Sequence, residues 1–170
     1  MASLIDELID VLDKEEKEYQ DLILLSQEKT PVIVKGDLEK LQRITEAEQI
    51  VIGKINKLEK KRTEVAKDIA LVLNKDEETL KVLDIVFLLE GQKAEQERLL
   101  GVYEKLRDTL KKMTTVNEMN KGLVNESLDF INYNLNLLKS AYQEPGTGNY
   151  TKQAFNTTPI AGVGVFDAKQ

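Results

Sequence analysis

The stretch from about Gln92 to Tyr142 constrains the fold more than any other part of the sequence. It contains no proline, and apolar residues recur along it in steps of three and four, which is the spacing of one face of an α-helix. A helix of this length is roughly 75 Å long, well over twice the diameter of a small domain. Such a rod needs other helices along its length, and any part they leave bare is a groove for a partner's helix.

The second half of this stretch carries the predicted binding surface. Its apolar residues follow a 4-3-4-3-4 spacing from Val124 to Tyr142, which places them on one stripe of the helix. We expect the chain itself to cover this stripe only in part, so that it binds a helix of another protein. The predicted groove residues are Leu123, Val124, Leu128, Ile131, Leu135 and Leu138.

A first helix is predicted over residues 3–29. It is expected to end before Pro31, because the residue that precedes a proline avoids helical dihedrals. The apolar run 32–34 that follows is interpreted as a turn that caps the bundle.

A second helix is predicted over residues 37–73, with Gly36 in the preceding turn and Asp37 as its N-cap. Its apolar seam alternates by three and four for more than four heptads, with charged interruptions at Glu48 and Arg62. This pattern predicts an antiparallel hairpin with the first helix. The second helix is expected to extend beyond the end of the first. The part of its apolar seam that the first helix does not cover is expected to contact the long helix.

A short helix is predicted over residues 77–90, with Asp76 as its N-cap and Gly91 as the break before the long helix. Its residues are apolar on nearly every side, so we expect a plug buried at the end of the bundle. Packing of Phe87 in the core is favoured over a binding pocket around it.

Asparagines in the long helix allow two interpretations. Asn117 and Asn120 occupy seam positions, where a polar residue either fixes helix register or marks a surface that the chain leaves uncovered. The sequence does not separate the two for this pair. Partial exposure is favoured for four later asparagines, which are Asn125, Asn132, Asn134 and Asn136.

Composition argues against catalysis. The chain has no cysteine and no histidine, so it lacks the usual thiol nucleophile, general base and metal ligand. Paired acids such as Asp6 and Asp10 alternate with lysines at helix-surface spacing, which is typical of solvated ion pairs. We therefore predict no enzyme activity, no metal site and no cofactor.

Charge and hydropathy restrict the partners. The formal net charge is -6, which disfavours nucleic acid, and the basic cluster of Lys57, Lys60, Lys61 and Arg62 is interrupted by glutamates and read as a solvated face. Nowhere do about 18 apolar residues follow one another, so no stable membrane insertion is predicted. The first residues lack the pattern of a signal peptide, which favours a cytoplasmic protein.

After Tyr142 the composition changes to Gly, Thr, Asn and Ala, which predicts a flexible C-terminal tail over residues 143–170 that orders on a partner. Phe155 and Phe166 are expected to dock on the exposed part of the long helix. The predicted fold is therefore all-α. It is an elongated antiparallel coiled-coil-like bundle of three long helices and one short helix over residues 1–142, with the long helix at 92–142.

The order of these features resembles the FlgN-type flagellar export chaperones. The resemblance covers nearly the whole chain and rests on loose helical patterns, chiefly the Gly36-Asp37 turn and the segment from Asn120 to Leu135. The matching residues are Gly36-Asp37-Leu38, Leu41, Glu48-Gln49, Leu58-Glu59, Arg62, Asn120, Leu123, Ser127-Leu128, Phe130-Ile131 and Leu135, followed by a Tyr-containing tail.

The resemblance implies a cytoplasmic chaperone of flagellar type III export. Such a chaperone binds the helix-forming C-terminal segments of hook-filament junction proteins, prevents their premature assembly and delivers them to the export gate or to export ATPase components. Family members contact the gate through a C-terminal segment that bears a tyrosine, for which Tyr150 is the nearest match and Tyr142 the alternative. The competing interpretation is a structural or tethering coiled coil, a homo-oligomer that self-associates through its heptad seams.

Overall fold

The structure is a computed structural model that describes residues 2–76, 80–89 and 91–142. Within these ranges the chain forms four helices and no strand, which confirms the predicted all-α helical bundle. The helices are α1 (Ala2–Lys35), α2 (Leu38–Leu73), α3 (Val82–Leu88) and α4 (Lys93–Tyr142). The predicted tail at 143–170 lies outside the described residues, so the division at residue 142 stays a prediction.

Helix α1 lies between α2 and α4 and packs along both. It runs antiparallel to α2, as ion pairs near the two ends of the hairpin show. Lys61 Nζ lies 2.6 Å from Glu7 Oε1, and Lys29 Nζ lies 2.7 Å from Glu48 Oε2. The predicted antiparallel hairpin of the first two long helices is therefore confirmed.

Helix α4 runs parallel to α1. Arg98 Nη1 lies 2.8 Å from Asp6 Oδ1, and farther along Asn120 Nδ2 donates to the Ser26 carbonyl at 2.7 Å. From that contact α1 continues for only about nine residues and α4 for about 22, so α4 projects roughly 20 Å beyond the end of α1.

Two apolar clusters hold the helices together. The larger lies at the end of the bundle that contains α3, and the smaller lies near the middle of α1. The larger consists of Ile5, Leu8, Ile9, Leu12, Val65, Ile69, Ile85, Val86, Leu89, Leu99 and Leu106. The smaller consists of Leu22, Ile23, Val51, Ile55 and Met113. The buried apolar packing of α4 therefore stops at Met113, and the distal half of this helix belongs to neither cluster.

The two charged residues in the α2 seam pair with α1. Glu48 accepts a hydrogen bond from Ser26 Oγ at 2.8 Å and one from Lys29 Nζ, and Arg62 Nη1 donates to Glu15 Oε2 at 3.1 Å. Burial raises the pKa of Glu15, and the Arg62 guanidinium acts in the opposite direction. Because a buried charge needs a partner, these pairs restrict the register of the hairpin.

The first helix does not end before Pro31. Helix α1 continues through Pro31 to Lys35, so the predicted end near Lys29 and the turn over 32–34 are wrong. Proline inside a helix costs about 3 kcal/mol, whereas burial of Val32 and Ile33 recovers roughly 1.5–3 kcal/mol each. Since α1 has 34 residues and α2 has 36, the second helix does not outrun the first.

The short helix is also shorter than predicted. Helix α3 begins at Val82, and its first turn is capped by Asp84, which accepts a hydrogen bond from the Lys81 N–H at 2.8 Å. The prediction of a helix from residue 77 with Asp76 as N-cap is wrong at Leu80 and Lys81, while 77–79 and 90 lie outside the described residues. Phe87 is 66% exposed, so its predicted core packing is wrong as well. Helix α3 therefore packs on one side only, since Ile85 and Val86 are buried whereas Phe87 and Leu88 face solvent.

Asn120 and Asn117 have different roles. Asn120 is buried, donates to the Ser26 carbonyl and accepts from Thr30 Oγ1 at 2.6 Å. These contacts support the interpretation that Asn120 fixes the register of α4 on α1. Asn117 is exposed. The register explanation therefore does not hold at this position.

Replacement of Asn120 by Ala is expected to destabilise the protein by about 1–3 kcal/mol, because Thr30 and the Ser26 carbonyl lose a buried partner. Asn117→Ala, one turn earlier on the same helix, is the matched control and is expected to stay within about 0.5 kcal/mol. Urea denaturation of the two variants measures both values. Equal destabilisation would show that Asn120 has no special role in register.

Candidate partner-binding groove

The turn between α1 and α2 forms one wall of a groove. Gly36 adopts a φ of 68°, a left-handed conformation that glycine adopts without steric cost. Its N–H donates to the Ile33 carbonyl at 3.1 Å, and Asp37 Oδ1 accepts from the Lys40 N–H at 3.0 Å. The predicted N-cap at Asp37 is therefore confirmed, and the turn holds the end of α1 close to the start of α2.

The groove lies between this turn and α4, and its volume is about 550 Å³. Val34, Leu38 and Leu41 line it on the side of the turn. On the α4 side the apolar lining residues are Leu123, Val124, Leu128, Phe130 and Ile131. Most of the wall is thus apolar, while Lys35 and Glu126 place one charge of each sign at its edge.

Four of the six predicted groove residues line this groove, namely Leu123, Val124, Leu128 and Ile131. The other two, Leu135 and Leu138, follow along α4 at the same helical spacing and are 47% and 56% exposed. Leu128 and Ile131 are each 52% exposed, and Leu123 is half-buried. The structure therefore presents a continuous apolar stripe that begins in the groove and continues along the projecting part of α4.

Sequence reasoning missed the opposite wall. Val34 and Leu38 are 67% and 76% exposed, although they flank the turn directly. The signal was an apolar residue on each side of Lys35-Gly36-Asp37. Val34 belongs to the run 32–34 that was interpreted as a turn capping the bundle, and Leu38 was not among the predicted groove residues. Only the position of α4 shows that these side chains face a groove.

Other predicted positions fall in three places. Tyr142 is the last residue of α4, and Tyr150, Phe155 and Phe166 lie outside the described residues. Lys61 and Arg62 of the basic cluster form ion pairs with Glu7 and Glu15 of α1. Lys57, Lys60 and Lys61 are exposed, which agrees with the interpretation of a solvated helix face. Arg62 departs from it, because its partner Glu15 is buried.

A second, smaller cleft of about 350 Å³ lies beside α3 and is lined by Leu80, Phe87 and Leu88 together with Lys75 and Asp84.

In the part of the chain that the structure describes, no group of three or more acidic side chains is placed to hold a metal ion. None of the described helices is long and apolar enough to cross a membrane. The larger groove has the chemistry to hold the apolar face of an amphipathic helix.

Comparisons with known proteins found one matching family model and a similar sequence. A family model described as "FlgN protein" matches residues 1–157, which include the α1–α2 turn and all of α4. The chain is also similar to a Bacillus subtilis (strain 168) protein named "Uncharacterized protein YvyG", with 27% identity over 152 residues that cover 89% of each chain. No solved structure matches the chain.

Proposed function

Because the chain belongs to the FlgN family, a family of flagellar export chaperones, we propose that it binds the C-terminal helices of hook-filament junction proteins in the groove. It keeps these clients from assembling early and delivers them to the flagellar type III export apparatus in the cytoplasm. The observation that carries the proposal is the exposed apolar stripe from Val124 to Leu138 beside the α1–α2 turn. The binding itself requires no catalytic step.

The spacing of the stripe fits a helix as the ligand. Val124, Leu128, Ile131, Leu135 and Leu138 recur at steps of three and four, the anchor pattern of helix-in-groove recognition. Contiguous exposed apolar surface of this kind is rare on monomeric proteins and marks interaction sites. A client helix that lies along α4 would cover the stripe and would contact Val34 and Leu38 at its inner end.

The energetics suit transient binding. A client segment that folds into a helix on α4 loses roughly 2–5 kcal/mol in ordering, which keeps its affinity moderate. Release at the export apparatus then needs no separate energy-consuming step. While bound, the client's apolar helix face is buried and cannot associate with other subunits.

A titration with a synthetic C-terminal helix of a hook-filament junction protein tests the proposal. We expect the peptide to gain helical circular dichroism when it binds and to form a complex of fixed stoichiometry in sedimentation equilibrium. A peptide that shows no gain in helix and no co-sedimentation would refute the proposed client.

The alternative function is a self-associating structural coiled coil. The seam of α2 is already occupied within the chain, since Val51, Ile55, Val65 and Ile69 are buried. The burial of this seam disfavours a filament built through the heptad seams, whereas the distal part of α4 stays exposed. Sedimentation of the protein alone at rising concentration distinguishes the two, because a structural rod assembles and a chaperone stays small.

Deletion of all residues after Gln143 separates delivery from client binding. We expect client affinity to change less than about twofold, because the groove is formed by residues before 142, and we expect binding to the export gate to be lost with Tyr150. Tyr150→Ala in the full chain is the matched single-residue variant. Unchanged gate affinity of the truncated protein would rule out the tail as the contact and would leave Tyr142 as the candidate tyrosine.

A further inference from the structure

The distal half of α4 carries a second apolar stripe. Phe130, Tyr133 and Leu137 are 66%, 61% and 48% exposed. We call the apolar residues of α4 from Val124 to Leu138 that recur at steps of three and four the groove stripe. At about 100° per residue Tyr133 and Leu137 lie roughly opposite the groove stripe, and Phe130 lies between the two faces. We call these three residues the reverse stripe. A surface helix is normally apolar on one face only. The distal half of α4 has two apolar faces, and packing within the bundle does not account for the second.

A client helix in the groove leaves the reverse stripe uncovered. Val124, Leu128 and Ile131 line the groove on the side of α4, whereas Tyr133 and Leu137 are not among the residues that line it. Phe130 borders the groove as well, so Tyr133 and Leu137 distinguish the two faces. Exposed apolar patches of this kind mark contact sites, which calls for a second occupant beside the client.

We infer that residues 143–170 of the same chain fold back along α4 and cover the reverse stripe with Phe155 and Phe166. This segment starts at the end of α4, only about one and a half turns after Leu137. The reverse stripe is roughly 10 Å long, and the segment has 28 residues, which span at most about 90 Å when extended. Pro145 and Gly146 come where the chain must leave the helix and reverse direction.

The chemistry of the segment matches the reverse stripe. Its apolar residues are spread along an otherwise polar sequence and comprise Phe155, Ile160, Val163, Val165 and Phe166. Glu126 and Asp129 each precede a stripe residue by one helical turn and so flank the stripe. Lys152 brings the opposite charge three residues before Phe155.

This arrangement leaves the groove open while the reverse stripe is covered. The client and the segment then occupy different faces of one helix and meet only at Phe130, which borders the groove. The segment also shields Tyr133 and Leu137 from a second copy of the chain. The inference stands whether or not the proposed client is the right one.

Disulfide trapping tests the inference in the full chain. The protein has no cysteine, so a pair of introduced cysteines has no background. In the first variant Tyr133→Cys is combined with Ala154→Cys, next to Phe155. In the control Leu135→Cys, which lies on the groove stripe, is combined with the same Ala154→Cys. Residue 135 is closer to the segment along the chain, so proximity alone favours the control.

Under mild oxidation of dilute protein we expect the Tyr133 pair to form an intramolecular disulfide about tenfold faster than the Leu135 pair, because docking raises the local concentration. Adding Phe155→Ser and Phe166→Ser should remove that advantage. Faster trapping at Leu135 would place the segment in the groove, and intermolecular disulfides would assign the reverse stripe to a second copy. Equal slow trapping would show that the segment does not dock. Each of these three outcomes overturns the inference.

Discussion

Replacement of Ile131 and Leu135 by Asp abolishes binding of the client helix and leaves the helix content of the protein unchanged. Both side chains are about half exposed, so the free protein loses little packing. In the complex the exposed half of each side chain is buried, which is worth roughly 0.8–1.5 kcal/mol, and an Asp carboxylate buried without a partner in its place costs at least about 1 kcal/mol more. The expected loss of affinity is therefore roughly 100- to 10,000-fold. Isothermal titration calorimetry with the client peptide measures it, and circular dichroism checks the fold.

The matched control places the same charges on the polar side of α4. Asn132→Asp with Asn136→Asp adds two carboxylates to the same helix at exposed positions, away from the groove stripe. We expect client affinity within about threefold of wild type, since long-range repulsion is screened at physiological salt. If the Ile131 and Leu135 variant unfolds, these residues belong to the core. If the control loses affinity equally, charge and not the apolar stripe governs binding.

The Leu99→Ala variant is expected to lose about 2–5 kcal/mol of its free energy of unfolding, the usual cost of a cavity at a fully buried leucine. Leu99 is 0% exposed and belongs to the larger apolar cluster, where α3 and α4 meet α1. The same substitution at Leu135, on the same helix, should change stability by no more than about 0.5 kcal/mol. Urea denaturation gives both values by linear extrapolation.

This comparison separates the part of α4 that folds the bundle from the part that serves binding. A similar loss at both leucines would mean that Leu135 is packed in the free protein. A loss at Leu135 that disappears on dilution would point to a second copy of the chain, because only an intermolecular contact depends on protein concentration.

Local sequence patterns were sufficient for several features of the fold. The proline-free run with apolar steps of three and four predicted a helix over 92–142, and the structure has α4 at Lys93–Tyr142. The Gly36-Asp37 pair predicted the turn, because glycine tolerates a positive φ and aspartate caps a helix. The resemblance to the FlgN family also came from the sequence and is confirmed by the family match over residues 1–157.

Local rules failed where packing outweighed them. Pro31 was expected to end the first helix, but burial of Val32 and Ile33 keeps α1 helical to Lys35. Asn117 and Asn120 were indistinguishable by spacing, and only the proximity of Ser26 and Thr30 to Asn120 separates them.

By itself the sequence determined which segments are helical and which face of each is apolar, because helix periodicity and turn chemistry are local properties of the chain. Only the tertiary structure decided which neighbour covers each face. It placed α1 between α2 and α4, set α4 parallel to α1, and brought Val34 and Leu38 opposite Leu128. The physical reason is that an apolar stripe specifies burial without specifying a partner. The partner depends on the lengths of the helices, the turns that join them and the polar pairs that fix their register.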